Sequence, residues 1–164
     1  GDFLELSSPA GTDRSEIDLM GVAEGVVELL RMEAENGGVV LVLDGAGCIV
    51  RADPASVRRA VINLVRNAIQ ASPSSGTVRV RVGPDGGQGL IQVSDEGPGV
   101  DEGLGERAFD AFVTTHAQGT GLGLALVRRV AEEHQGTVSL ANREGGGAVS
   151  EFRLAAAGCG KGGT

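Results

Sequence analysis

The stretch "NLVRNAIQA", residues Asn63–Ala71, places two asparagines four residues apart within an otherwise apolar helical repeat. Asparagine is a poor helix former, because its amide competes with the backbone for hydrogen bonds. Lys, Glu or Gln would serve a solvated helix face better. The segment therefore favours two amides that face a cleft, where they hold a cation or order a loop. Two polar residues on a solvated face are the alternative.

The flanking residues predict where this helix begins and ends. Asp53-Pro54 is a start signal, with a side-chain acceptor at the N-cap and Pro at the first helical position. Ser72-Pro73 is a stop signal after Ala71. Asn63 and Asn67 lie together on one side, outside a broad apolar face. That face consists of Val57, Ala60, Val61, Leu64, Val65, Ala68 and Ile69.

The composition excludes several classes of protein. The chain has 164 residues, 41% of them apolar, which suits one domain with a real core. Its net charge of −8 argues against a nucleic-acid or anionic-membrane surface. No apolar run reaches the length of a transmembrane helix, and no signal peptide is visible, so we expect a cytoplasmic domain. Cys48 and Cys159 form no CxxC pair, and both are predicted to be free thiols in a reducing compartment.

The order of predicted elements favours an α/β fold, an α+β two-layer sandwich with helices on one face of a mixed sheet. The strands at 39–44 and 47–53 are predicted to pair with each other. The predicted helices are 18–36, 53–71 and 121–136, and the other predicted strands are 77–83, 89–95, 137–142 and 147–155. We assign residues 18–157 to the domain, 1–17 to the remnant of a preceding helix and linker, and 158–164 to a flexible tail.

Two glycine-rich segments have the chemistry of a nucleotide site. In "SDEGPGV", Ser94–Val100, an Asp ends a strand and two glycines allow close approach to a ligand. Asp95 there can accept a hydrogen bond from an exocyclic amine such as adenine N6. In "GTGLGLALV", Gly119–Val127, a loop runs into a helix whose N-terminus suits a phosphate. An ordinary turn and a flexible loop are the respective alternatives.

A third segment lies between those two. "FDAFVTTH", Phe109–His116, contains two of the four phenylalanines of the chain, three residues apart. This spacing indicates one helical turn that docks a mobile loop onto the core. Thr115 and His116 are polar side chains able to reach a phosphate, although a packed surface loop is also consistent with His116.

Taken in order, the four segments resemble the N, G1, F and G2 boxes of the catalytic ATP-binding domain of sensor histidine kinases. This domain has the Bergerat ATP-binding fold. "NLVRNAIQA", "FVTTH" before "GTGLGLALV", and "HQGTVSL" are most similar to the nitrogen-regulation type. The resemblance covers roughly Ile17–Leu154 and implies an ATP pocket between loops at the end of a five-stranded mixed sheet.

The resemblance implies a role for each matching residue. Asn63 and Asn67 would be the catalytic pair, with Asn67 as the ligand of a Mg²⁺ that bridges the phosphates of ATP or ADP. Asp95 would bind the adenine amine, and Ser150 would support that contact through water. The nucleotide-binding set implied by the resemblance is Asn67, Asp95, Gly97, Gly99, Thr115, Gly119, Thr120, Gly121, Leu122, Gly123, Leu124 and Ser150.

Three positions qualify the resemblance. Gln70 and His116 stand where the family often has a cation, which lowers the cationic support for phosphate. At the position of Asn63, the members of the superfamily that hydrolyse ATP resemble one another in having a Glu. This chain has an amide there instead. An amide accepts no proton at neutral pH, so transfer of the γ-phosphoryl to an external acceptor is favoured over hydrolysis.

The implied acceptor is a histidine on a helical-hairpin domain absent from this chain. Neither His116 nor His134 is followed by Glu or Asp in a helix, as the acceptor box requires, so we expect no autophosphorylation in cis. The implied partners are that hairpin and a response-regulator receiver domain. The full-length protein would be a homodimer and this chain a monomer. The alternatives are a degenerate nucleotide-binding or docking module without phosphotransfer, and a serine kinase of the anti-sigma-factor type.

Overall fold

The computed structural model describes residues 14–97, 122–143 and 146–156. The Asp-Pro start signal, the apolar helical repeats and the alternating strand patterns each produce the type of element that they predict. The elements are β1 Ser15–Asp18, α1 Leu19–Asn36, β2 Val40–Gly45, β3 Ile49–Ala52, α2 Pro54–Ala71, β4 Thr77–Asp85, β5 Gln88–Ser94, α3 Leu122–Glu133, β6 Thr137–Asn142 and β7 Ala148–Ala155.

The main sheet has five strands in the order β2-β4-β5-β7-β6. β2 runs parallel to β4, and the other neighbouring pairs are antiparallel. The predicted mixed five-stranded sheet is therefore confirmed, and so is the hairpin of β6 and β7. The β4–β5 hairpin turns through Gly86 and Gly87, whose φ angles of 62° and 84° suit a two-residue turn that tightens the predicted loop.

The predicted pairing of β2 with β3 is wrong. β3 instead pairs antiparallel with β1 in a separate two-stranded sheet, in which Ser15 lies opposite Ala52 and Asp18 lies opposite Ile49. Residues 15–17, assigned from sequence to a preceding segment, therefore belong to the domain. The strand escaped detection because "SEID" is short and has no alternating apolar pattern. The origin of residues 1–13 stays a prediction outside the described residues.

The core lies between the main sheet and the three helices. Along β4, Val78, Val80 and Val82 are buried and alternate with the exposed Arg79 and Arg81, as expected for a sheet with one covered face. Helix α1 packs on β2 and β4, α2 on β4 and β5, and α3 on β6 and β7. The predicted arrangement of three helices on one face is confirmed.

One expectation about cysteine is wrong. Cys48 is disulfide-bonded rather than a free thiol, and its side chain is buried. The lack of a CxxC spacing carried no information, because residues far apart in sequence also meet in the fold. Cys159 lies outside the described residues. Among the described helices, none combines the length and the apolarity needed to cross a membrane.

Candidate functional site

Helix α2 begins where its N-cap chemistry predicts. The carboxylate of Asp53 accepts a hydrogen bond from Ala55 N at 3.1 Å, and Pro54 occupies the first helical turn. All seven residues of the predicted apolar face are buried. Asn63 and Asn67 are partly exposed instead. The helix is thus anchored by one face and presents its two amides at the edge of the core.

The two asparagines have different surroundings. The amide Nδ2 of Asn63 donates to the carbonyl of Arg59, one turn earlier, at 3.1 Å. The side chain of Asn67 forms no hydrogen bond with any residue in the described part of the chain. The whole amide of Asn67 is therefore available to a ligand among the described residues, whereas the Nδ2 group of Asn63 is engaged.

Asp95 is a buried carboxylate, with 7% of its surface exposed. Its Oδ1 atom accepts hydrogen bonds from Gly97 N at 2.9 Å and from Ala148 N at 3.2 Å. A buried charge is tolerated only when such donors compensate for lost hydration. Two backbone donors on one oxygen also fix the orientation of the carboxylate, so this side chain is held in place before any ligand arrives.

Gly97 brings the Asp95 loop to the end of α2. A Cβ atom at Gly97 would lie 2.3 Å from the carbonyl oxygen of Ala71, which leaves room for glycine alone. Ala71 is the last residue of α2, one helical turn beyond Asn67. The structure therefore brings Asp95 and Gly97 to the end of α2, one helical turn from Asn67.

The direction of α3 follows from a buried histidine that the sequence analysis did not explain. His134, just past the end of α3, accepts a hydrogen bond on Nε2 from Asp53 N at 3.1 Å. Its Nδ1 lies 2.8 Å from Val130 O, so Nδ1 carries the proton and donates. The end of α3 thus meets the start of α2. The two helices pack against each other, and because the end of α3 meets the start of α2, we infer that they run in opposite directions.

That antiparallel arrangement places the start of α3 beside the asparagines. The twelve residues of α3 span roughly 18 Å, which corresponds to about twelve residues of α2 counted from Asp53. The N-terminus at Leu122 therefore lies near the level of Asn63 and Asn67. Unpaired N–H groups and the helix dipole make such an N-terminus suitable for an anion. Leu124 packs against the core.

Several predicted site residues lie outside the described residues. They are Gly99, Thr115, Gly119, Thr120 and Gly121, together with Phe109, Phe112 and His116. Leu122 and Gly123 belong to α3, but their side chains are outside the description. The roles assigned to all of these residues stay predictions.

Ser150 is buried on β7. Its hydroxyl is 3.4 Å from the carbonyl of Val93, the residue opposite it in the β5–β7 ladder. The Oδ1 atom of Asp95 accepts a hydrogen bond from the backbone amide of Ala148, two positions earlier on β7. The water-mediated support that the resemblance assigns to Ser150 stays a prediction.

The sequence analysis missed the turn between β6 and β7. The guanidinium of Arg143 donates to the carbonyl of Asp95 at 2.7 Å through Nη1. Gly147, with a φ of 95°, lies so close that a Cβ there would be 2.0 Å from the same carbonyl oxygen. The run of three glycines at 145–147 was the one available signal of a close backbone contact.

The described cations near the asparagines are few. Arg66 is paired with Glu33 at 3.3 Å, whereas Arg59 is exposed and forms no ion pair within the described residues. The described part of the chain also contains no cluster of three or more His, Cys, Asp or Glu side chains suited to a metal. A divalent ion here would need ligands from beyond the described residues as well as an amide oxygen.

Comparison with known proteins gives a family match across most of this region. The family model described as histidine kinase-, DNA gyrase B-, and HSP90-like ATPase matches residues 52–158. Sensor histidine kinase ZraS of Klebsiella oxytoca is 32% identical over 156 residues, which cover 93% of this chain and 34% of that protein. The chain therefore spans about a third of the length of this curated relative.

Two solved structures have similar folds. The catalytic domain of histidine kinase ThkA, in a nucleotide-free form, superposes with a TM-score of 0.81 and 29% identity, covering 88% of this chain and 96% of that one. Full-length ShkA in complex with AMPPNP superposes with a TM-score of 0.80 and 30% identity, covering 94% of this chain and 34% of that one.

Proposed function

Since the chain belongs to the family of histidine kinase-, DNA gyrase B-, and HSP90-like ATPases, we propose that it is the ATP-binding catalytic domain of a two-component sensor histidine kinase. It binds Mg–ATP and supplies the γ-phosphoryl group to a histidine on a helical-hairpin domain of the full-length protein. The observation that carries this proposal is the buried, backbone-fixed carboxylate of Asp95 beside the end of the helix that bears Asn67.

The adenine base is assigned to Asp95. A fixed carboxylate is a strong acceptor for the 6-amino group of adenine, and a charge-assisted hydrogen bond is roughly twice as strong as a neutral one. Gly97 lets the loop that carries Asp95 pack closely against the end of α2. The same carboxylate repels the 6-oxo group of guanine. Adenine selectivity is therefore expected.

The phosphates are assigned to the start of α3 and to Asn67. The N–H groups at the start of α3 suit a phosphate oxygen. Asn67 has an amide oxygen without a hydrogen bond among the described residues, and Mg²⁺ typically takes one or two protein oxygens together with substrate phosphates. The absence of a carboxylate cluster in the described residues fits such a site. When bound, the ion would neutralise charge on the phosphates.

Phosphoryl transfer to histidine fits an amide at Asn63. An imidazole nitrogen is already nucleophilic when neutral, so no general base is required for attack on the γ-phosphorus. The new N–P bond forms as the bond to the bridging oxygen breaks, and ADP leaves with the electron pair. His134 is excluded as the acceptor, because it is buried and both of its ring nitrogens are hydrogen-bonded.

The partners of this domain are the phosphoacceptor hairpin and, after transfer, a response-regulator receiver domain. The full-length protein is proposed to be a homodimer in the cytoplasm or anchored at the membrane from its cytoplasmic side. A docking module without phosphotransfer and an anti-sigma-type serine kinase are not favoured, because relatives matched over most of this chain are named sensor histidine kinases.

Two measurements test the proposal. Thermal shifts with ATP or ADP, each with and without Mg²⁺, report binding, because a ligand of the native state raises the melting temperature by mass action. Labelled ATP is then mixed with this chain and the helical hairpin of its own full-length protein. We expect label on the hairpin histidine. Bound ATP without label on the hairpin would leave a nucleotide-binding module, and no thermal shift at millimolar ATP would refute the proposal.

A further inference from the structure

The β6–β7 turn, residues 143–147, reaches across the end of β5 and contacts Asp95. Within the turn, Arg143 N donates to Gly147 O at 2.9 Å and Gly146 N donates to Arg143 O at 3.1 Å. Both bonds join residues on the two sides of the connection between β6 and β7.

Three contacts join this turn and the start of β7 to Asp95. Asp95 N donates to Ala148 O at 2.9 Å, and Ala148 N donates to the Oδ1 atom of Asp95 at 3.2 Å. The Nη1 atom of Arg143 donates to the carbonyl oxygen of Asp95 at 2.7 Å. The carboxylate, the amide and the carbonyl of this one residue are thus all held from the same side.

Asp95 lies one residue beyond the last position of the β4–β5 ladder, where Arg79 is opposite Ser94. The contacts from the side of β6 and β7 therefore help to fix its backbone. Arg143 supplies a charged donor to this set, which makes a short, strong bond to a carbonyl. Within the described residues, the guanidinium of Arg143 forms no ion pair with an acidic side chain. Its hydrogen bond there is the one to the carbonyl oxygen of Asp95.

We propose that Arg143 is a positioning residue for base recognition. By fixing the backbone of Asp95, it sets how strongly the site discriminates a purine that carries a 6-amino group from one that lacks it. This inference rests on the proposed function, in which Asp95 accepts from adenine. Arg143 itself contacts no nucleotide; it acts through the carboxylate that the turn aligns.

The test compares ATP with purine riboside triphosphate, which has the same phosphates and ribose but no 6-amino group. Dissociation constants are measured by calorimetry for the unmodified chain, Arg143→Ala and Arg143→Lys. Arg51→Ala, an exposed arginine on β3 without an ion pair in the described residues, is the matched control. Arg143→Ala should lower the affinity for ATP roughly three- to tenfold, as expected for one hydrogen bond.

The affinity for the analogue should change less than twofold, so the preference for ATP falls by the same three- to tenfold. Arg143→Lys retains one cationic donor and should restore more than half of the lost preference on a logarithmic scale. An equal loss for both ligands, or no loss for either, would show that Arg143 has at most a structural role. If the unmodified chain binds neither triphosphate, the proposed function itself is refuted. This outcome differs from a failure of the Arg143 proposal, in which the unmodified chain still binds ATP.

Discussion

The two ends of the candidate site differ in how complete they are. At the base end, the carboxylate of Asp95 is buried and fixed by backbone donors, and a glycine seats its loop on the end of α2. At the phosphate end, Asn63 and Asn67 are partly exposed, and Asn67 forms no hydrogen bond within the described residues. The base end is thus preorganised, whereas the phosphate end is completed by the ligand. Affinity and selectivity for the base should therefore arise from the protein alone.

Asp95→Asn tests the base end and should have the largest effect. The amide can still accept from Gly97 N and Ala148 N through its oxygen, so the fold should persist. Its NH₂ group cannot accept from the adenine amine, and a charged hydrogen bond of about 1.5–3 kcal/mol is lost. We expect calorimetry to show ATP affinity lowered by about a hundredfold. Unchanged affinity in the folded variant would remove Asp95 from the site.

His134→Phe tests the contact between the end of α3 and the start of α2, which holds the two ends of the site in place. The ring is kept, but both hydrogen bonds, to Asp53 N and Val130 O, are lost in a buried position. At about 1 kcal/mol for each bond, the free energy of unfolding should fall by about 2 kcal/mol in urea. Because α3 then loses its anchor to α2, ATP affinity should fall while the preference for ATP over purine riboside triphosphate stays. A loss of that preference would show that the base end is not independent.

Asn67→Ala tests the phosphate end. We expect the increase in ATP affinity caused by Mg²⁺ to disappear, a loss of about tenfold, while affinity in EDTA stays unchanged. Stability should not fall, because alanine is the better helix former and no hydrogen bond to a described residue is lost. Asn63→Ala is the matched control and should keep the Mg²⁺ effect. Retained dependence on Mg²⁺ in Asn67→Ala would refute the metal assignment.

Local pattern was sufficient for the part of the fold that contains the asparagines. The Asp53 cap, the seven buried positions of α2 and the position of Asp95 just after β5 were all predicted, because each depends on residues near in sequence. The family resemblance implied that Asn67, Asp95 and Gly97 belong to one pocket. No local sequence pattern specifies this. The mixed sheet followed from the order of the predicted elements, and its five strands from the family resemblance.

Long-range choices were predicted less well. The parallel pairing of β2 with β4 across α2 cannot be distinguished from a local hairpin by an alternating pattern, since both bury the same residues. The role of Ser150 came from the family resemblance and stays a prediction. Arg143 could not be found, since a turn arginine is typically solvated and nothing local indicates its contact with Asp95.

The outer face of the sheet supplies the smallest test, at a distance from both ends of the site. The pKa of Glu151 lies below its ordinary value because its carboxylate accepts hydrogen bonds, with the larger effect from Arg153 and the smaller from Gln92. Because its folded pKa is the lower one, the stabilisation from ionised Glu151 is full above the unfolded pKa of roughly 4.3 and is lost as pH falls through the folded pKa. Glu151→Gln should therefore cost less than about 1 kcal/mol at pH 7 in urea unfolding, and the difference from the unmodified chain should shrink towards pH 3. A difference in unfolding free energy that grows as pH falls would contradict the expected sign. A change in ATP affinity at pH 7 would show that the outer face of the sheet is coupled to the site.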